Sequence, residues 1–241
     1  MSAAPGLTVA TWNMEWKVPS SREAMMMLAD LATQTPDLIC LTEAYTGLDL
    51  PEGHLITSEA DHGYRLVDGR RKVMLSSATP WESIDCIGHP DMPPGRFVSG
   101  KTKTSLGDTW VVGVCIPWRD AHVRSGTRDR QPWEDHLAYL AGLSDLLASL
   151  SGPVIVVGDF NQRIPRRYTP EPVHAALLDT LGSRFTVATA GLVGPDGRMA
   201  IDHIAHTAGF KARSVTTLSD TAPDGTKLSD HFGVVAYLHR S

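Results

Sequence analysis

The sequence has few cysteines, no surplus of basic charge and no long apolar run. Cys40, Cys86 and Cys115 are an odd number with no C-x-x-C spacing. That excludes a disulfide framework and a cysteine-rich zinc site. Cys40 and Cys115 sit inside apolar runs, as reduced, buried thiols do. Lys and Arg number 22 against 27 Asp and Glu, a formal net charge of −5. This excludes a protein that coats nucleic acid by bulk charge, although a locally basic groove remains open. No stretch approaches the ~18 consecutive apolar residues of a membrane span. The first residues lack a basic segment followed by a long apolar one, so no signal peptide is expected. Together these absences predict a cytoplasmic protein without a membrane span. Repeats, low-complexity tracts and long linkers are also missing, and we expect one domain over residues 1–241 acting as a monomer.

What is present is ordinary globular composition, 42% hydrophobic and 20% charged, in a chain long enough to bury a core unaided. Short Val- and Ile-rich runs bounded by turn residues predict strands at Leu7–Trp12, Leu38–Thr42, Val73–Ser76, Trp110–Ile116, Val154–Val157, Ile201–Ala205 and Phe232–Leu238. Phe97–Thr104 reads as a further strand, forming a hairpin with Trp110–Ile116 across Gly107-Asp108. Three helices are predicted. One is opened by the S-x-x-E box Ser20–Glu23 and runs to about Ala32. The second carries Leu137, Leu140, Leu143, Leu147 and Leu150 after Pro132. The third spans Pro170–Leu181, with Thr169 as N-cap and Gly182 past its end. Strands that follow one another directly, with only some helices between, predict stacked mixed sheets with helices outside.

Polar residues interrupt these runs at their ends. Asn13 ends the first run and Glu15 follows. Glu43 ends the second, and Asp159 and Asn161 end the Val154 strand. Asp202 breaks the Ile201 strand, and Asp230-His231 precedes the last one. Any one of these would pass as a turn residue. The number of them weakens that reading, and Glu43 is a poor turn former. Clustered carboxylates repel one another unless a cation sits among them. Oxygen ligands without a Cys/His set select a hard ion, Mg²⁺ or possible Mn²⁺. An imidazole beside them suits hydrolysis of a phosphoester by activated water.

Thr11-Trp12-Asn13-Met14-Glu15, Leu41-Thr42-Glu43, Gly158-Asp159-Phe160-Asn161, Ile201-Asp202-His203-Ile204 and Leu228-Ser229-Asp230-His231 resemble the ordered motifs of the endonuclease/exonuclease/phosphatase superfamily. The resemblance implies an α/β fold, a four-layer α/β/β/α sandwich of two stacked mixed sheets flanked by helices. It implies Glu43 as principal metal ligand, supported by Asn13 and Glu15, with Asp230 near the metal. Asp159 would orient or deprotonate the attacking water and Asn161 would position water and phosphate. His231 would contact the scissile phosphate, with Asp202 fixing its tautomer and raising its pKa. One position departs from the pattern. Where many members carry His, or abasic-site endonucleases Tyr, this chain reads Val114-Cys115-Ile116-Pro117-Trp118. Arg119 and His122 are the nearest candidates to replace that contact.

Three weaker signals accompany these. Gly95–Thr102 matches the P-loop pattern G-x-x-x-x-G-K-[ST], but prolines precede it and a hairpin, not a helix, follows, so it reads as a chance match. His203 and His206 have metal-pair spacing, yet on a strand they face opposite sides. Arg163, Arg166 and Arg167 follow Asn161 closely and are candidate substrate-phosphate contacts. The expectation is therefore a metal-dependent phosphoesterase acting on phosphodiester bonds of DNA or RNA. The alternatives are a phosphatase or phosphodiesterase for a small phosphorylated metabolite or lipid headgroup, and a catalytically silent binding module.

Overall fold

The computed structural model describes residues 6–51 and 53–241, so the start of the N-terminus read above for a signal lies outside the described residues. In chain order the elements are β1 (Gly6–Asn13), α1 (Arg22–Thr33), β2 (Leu38–Tyr45), β3 (His54–Thr57), β4 (Arg70–Ser77), β5 (Trp81–Asp85), β6 (Phe97–Thr104) and β7 (Gly107–Cys115). Then follow α2 (Glu134–Ser149), β8 (Val154–Asp159), α3 (Glu171–Leu181), β9 (Phe185–Val187), β10 (Asp202–Thr207), β11 (Phe210–Leu218) and β12 (Gly233–Arg240). The strands form two six-stranded sheets, β11-β12-β1-β2-β4-β3 and β5-β6-β7-β8-β10-β9. Each is antiparallel except for one parallel pair, β1–β2 in the first and β7–β8 in the second.

Alternation along the strands builds the layers. In β8, Ile155 and Val157 face the other sheet, while Val154 and Val156 meet α2 and α3. In β1, Leu7 and Val9 join the inter-sheet core, while Ala10 and Trp12 pack under α1. The order is α1, sheet, sheet, then α2 with α3: the α/β/β/α sandwich expected from the sequence. Glycines let the sheets close. A Cβ on Gly113 would lie 2.7 Å from Val73 Cγ1 of the facing sheet.

The P-loop look-alike runs into β6 and turns directly into β7, with no helix to receive a phosphate. His203 and His206 both lie on β10, buried and bonded to Thr189 and the Gln162 carbonyl, and to the Thr207 carbonyl, respectively. Two helix starts shift from expectation. The cap of α1 is Ser21, not Ser20: its extended backbone aims Oγ at the Ala24 amide, 3.2 Å away. The residue flanking α3 is Pro170, not Thr169. The cysteines are free, with Cys40 and Cys115 buried. Among the described residues, no helix is long and apolar enough to cross a membrane.

Candidate active site

Strand direction gathers the polar interruptions at one end of both sheets. Because β1 and β2 are parallel, Asn13 pairs with Thr42, and Glu43 is the next residue. In the other sheet Cys115 pairs with Asp159, and Asp202 opens the antiparallel β10 opposite Asp159. The segment before β12 brings His231 to the same rim. Trp12 Nε1 donates to the His231 carbonyl at 2.9 Å. Ser229 Oγ donates to the Asn13 carbonyl at 2.7 Å and accepts from the His231 amide at 3.1 Å. The backbone here is unusual. Glu15, Trp16, Glu43 and Asn161 all have positive φ, between 47° and 57°, and such residues concentrate at functional sites. Gly158 sets the direction of Asp159: its φ is +134°, and a Cβ there would meet the Val114 carbonyl oxygen at 2.1 Å.

The result is a cavity of about 350 Å³ lined by Asn13, Glu43, Asp159, Asn161, Asp230 and His231, together with Lys72 and Arg96. Asp202 lies behind it, with Oδ2 2.5 Å from His231 Nδ1. This leaves Nε2 on the cavity side, 3.8 Å from Asp230 Oδ1. Burial works against a charged imidazole, but the Asp202 carboxylate and then Asp159 and Asp230 overcome it and push His231 up to about 10. Asp159 moves the other way from a normal acid. Burial, then the Asp202 charge, raises it to about 7. Its Oδ1 accepts from the Asn161 amide at 2.8 Å, and its Oδ2 from Asn161 Nδ2 at 3.0 Å and Asn13 Nδ2 at 3.4 Å. Burial also raises Asp230. In Glu43 burial is outweighed by Lys72, whose ammonium lies 2.5 Å from Oε1, and the carboxyl is held below its usual range.

The donor chemistry fits a hard divalent cation. Asp159, Asp202 and His231 offer ligand atoms within 4.8 Å of one another. Asn13, Glu43 and Asp230 add oxygens from the other sheet. Asp202 Oδ1 is buried without a partner. A carboxyl raised by its neighbour's charge marks excess negative charge that a cation would relieve.

A family model described as the Endonuclease/Exonuclease/phosphatase family matches residues 10–231. The chain belongs to this family. No curated relative matches it. Among solved structures it is similar to an AP endonuclease from Archaeoglobus fulgidus, with 18% identity, TM-score 0.67, and 95% of this chain and 98% of that one covered. The human Nocturnin catalytic domain with bound sulfate anion gives 16% identity and TM-score 0.69, covering 100% and 97%. Sphingomyelinase C from Streptomyces griseocarneus gives 16% and 0.65, covering 97% and 99%.

Not every residue expected at the site of this endonuclease/exonuclease/phosphatase member reaches the cavity. The Glu15 side chain turns to Lys17, 3.0 Å away, and its charge adds to the rise of Asp230, while its backbone amide donates to Asn13 Oδ1 at 2.8 Å. Arg163 and Arg167 lie over the exposed ring of Tyr168, and Arg166 donates to the Thr169 carbonyl. The cause is Gln162. Its buried side chain bonds His136, His174 and the Val173 carbonyl, and so ties the loop to α2 and α3. Arg119 pairs with Asp120. His122 is buried, 2.6 Å from Asp135 and stacked on Tyr64. None of these six lines the cavity.

Two residues that do line it escape the sequence reading, Lys72 and Arg96. Lys72 belongs to the basic run Arg65–Lys72, where charges usually signify a solvated loop. Only the β2–β4 register, which brackets Glu43 between the Thr42–Val73 and Ala44–Arg71 pairs, sets it opposite that carboxylate. Arg96 stands inside the P-loop look-alike. Within the run Val114–Trp118, which lacks the family's His or Tyr, Cys115 lines the cavity and the Ile116 carbonyl accepts from Asn161 Nδ2 at 2.8 Å.

Proposed function

We propose that this chain is a divalent-metal-dependent phosphoesterase that hydrolyses phosphodiester bonds of DNA or RNA by attack of water. The observation that carries the reading is one cavity that joins the Asp159–Asn161 pair to a protonated His231 backed by Asp202. Asp159, near neutrality, is matched to take a proton from the attacking water at working pH. The two amides of Asn161 and Asn13 hold its carboxylate in place and leave it little rotational freedom. His231 carries its proton on Nε2 toward the cavity, where it donates to a phosphoryl oxygen as negative charge builds. Glu43, Asn13 and Asp230 would hold Mg²⁺, or Mn²⁺, which when bound supplies Lewis-acid stabilisation of the phosphoryl oxygens. Lys72 and Arg96 add fixed positive charge.

The DNA or RNA reading draws support from the nucleic-acid substrate in the name of the similar AP endonuclease and from these two cavity cations. The test is hydrolysis of bis(p-nitrophenyl) phosphate, supercoiled DNA, abasic DNA and RNA with Mg²⁺, Mn²⁺ or EDTA. The Asp159→Asn protein should lose ~10²–10³-fold activity. A loss under ~10-fold would sink the mechanism. Turnover confined to small phosphoesters would move the substrate to a metabolite or lipid headgroup.

A further inference from the structure

A second cavity, of about 490 Å³, opens beside the first and shares Lys72, Arg96 and Trp118 with it. Its lining is uneven in charge. Arg65, Arg70, Lys72 and Arg96 line it, and no lining residue is acidic, although the chain as a whole is anionic. The rest is largely aromatic. Trp16 stacks on His62 at 5.9 Å and His62 on Tyr64 at 5.6 Å. Arg70 lies over Trp16 at 4.8 Å, and Trp118 is 46% exposed. His62 donates Nδ1–H to the Ala60 carbonyl, 3.0 Å away. Burial, aided by Lys72 and Arg96, holds its pKa down, so a neutral ring faces this space.

Arg96 is the independent pointer to a ligand. It is 1% exposed, and its Nε and Nη2 are buried with no hydrogen-bond partner. No carboxylate pairs with it among the described residues. A buried guanidinium left in this state is costly unless an anion meets it. It borders both cavities, so that anion would sit between the catalytic carboxylates and the aromatic lining.

We propose that the second cavity is a nucleotide subsite: it takes an unpaired base among Trp16, Tyr64 and Trp118, with the phosphate beside that base held by Arg96. This rests on the phosphoesterase reading above and narrows its substrate. A space of this size is in the range of small-molecule pockets, ~300–1,000 Å³. It admits one base with its sugar, whereas a base locked in a duplex stays in its stack. The enzyme therefore prefers single-stranded or free nucleotides to duplex. Base–aromatic stacking tolerates any base, so the subsite selects strandedness rather than sequence.

The test is binding in EDTA, which prevents turnover, by fluorescence anisotropy of a labelled single-stranded DNA decamer. It is compared with the same decamer as a duplex and with a decamer of identical phosphates whose central positions are abasic. The normal single strand should bind at least ~10-fold tighter than either. Trp118→Ala, at an exposed position, and Tyr64→Ala should each remove ~10-fold or more of that affinity. Arg96→Met should weaken binding similarly while leaving the melting temperature unchanged or raised, because it deletes a buried guanidinium whose Nε and Nη2 have no hydrogen-bond partner. Displacement by AMP would identify free nucleotides as the source of the base, and displacement by oligomers alone would identify a strand; both support the subsite. Equal binding of normal and abasic strands overturns it, as does a lowered melting temperature in Arg96→Met with unchanged affinity. Bis(p-nitrophenyl) phosphate carries no base. If the wild-type protein with Mg²⁺ or Mn²⁺ hydrolyses neither it nor DNA nor RNA, the phosphoesterase reading falls, and the binding comparison still decides the subsite.

Discussion

Asp202→Asn is the sharpest perturbation the site offers. His231 rises from 6.5 to about 10, on the order of 10³ in proton affinity. Burial opposes the charge, and the 2.5 Å contact with Asp202 is the largest influence favouring it. Asn keeps the shape and removes the charge. With Asp202 gone, only Asp159 and Asp230 still favour the charge against burial, and the imidazole is expected to lose its proton by pH 8, taking a charged donor from the cavity. Asp159 moves too, because the Asp202 charge is the second cause of its rise to about 7. Asp159 and His231 act on each other, so the limbs belong to the pair rather than to single residues. The expected wild-type pH profile of kcat/KM is a bell between those two values, with bound metal drawing the acid limb lower. In Asp202→Asn both limbs move to lower pH, and activity at pH 8 falls ~10²–10³-fold. Steady-state hydrolysis of bis(p-nitrophenyl) phosphate from pH 5 to 10 reads the limbs, and proton NMR of the His231 ring reads its charge directly. A uniform loss at every pH, with both limbs in place, would refute the reasoning: Asp202 would then merely seat the ring.

Stability follows the same charges. Asp159 has a folded pKa above its unfolded one, so its ionisation opposes folding: stability is greatest near pH 4 and is lost as pH rises through about 7. The His231 contribution is full below 6.5 and lost as pH rises toward about 10. Thermal melts in EDTA should therefore fall from pH 5 to 9, with Asp159→Asn flattening the part below pH 7; a slope unchanged in that variant contradicts the assignment. Lys72→Met frees Glu43 from the cation that pairs with it, and calorimetry should show Mn²⁺ binding ~10-fold tighter while kcat/KM drops. Weaker Mn²⁺ binding would mean instead that Lys72 orients Glu43 for the metal. Gly158→Ala sets a Cβ against the Val114 carbonyl on a left-handed backbone and should cost ~3 kcal/mol or more in urea melts; an unchanged midpoint would disprove the close approach.

The strands that escape the sequence reading are β3, β5, β9 and β11, and these are the four sheet edges. Interior strands bury both faces between a sheet and a helix layer, and so read as apolar runs. An edge strand such as β11, FKARSVTTL, is largely exposed and has no such run to show. The site divides in the same way. Its carboxylates are legible because each interrupts an apolar run. Lys72 and Arg96 are not, since strand register sets Lys72 opposite Glu43 and the packing of the chain just before β6 places Arg96. Sequence proximity to Asn161 makes Arg163, Arg166 and Arg167 look like site residues, until Gln162 ties that loop to the helices.

If the chain is the phosphoesterase proposed above, charge balance accounts for the absence of the family's His or Tyr. Glu43, Asp159, Asp202 and Asp230 face Lys72, Arg96 and His231, four carboxylates against three cations when all are ionised. Without metal the cavity carries one surplus negative charge, which accords with the raised Asp159. A divalent ion turns that into a single positive charge, which one phosphodiester neutralises. A monoester dianion would leave an excess of negative charge in a site of low dielectric. On that reading the uncharged run Val114–Trp118 is compatible with catalysis because the positive charge comes instead from Lys72 on β4 and Arg96 just before β6. What the phosphate meets is a charge at a point in space, and a different strand can supply it.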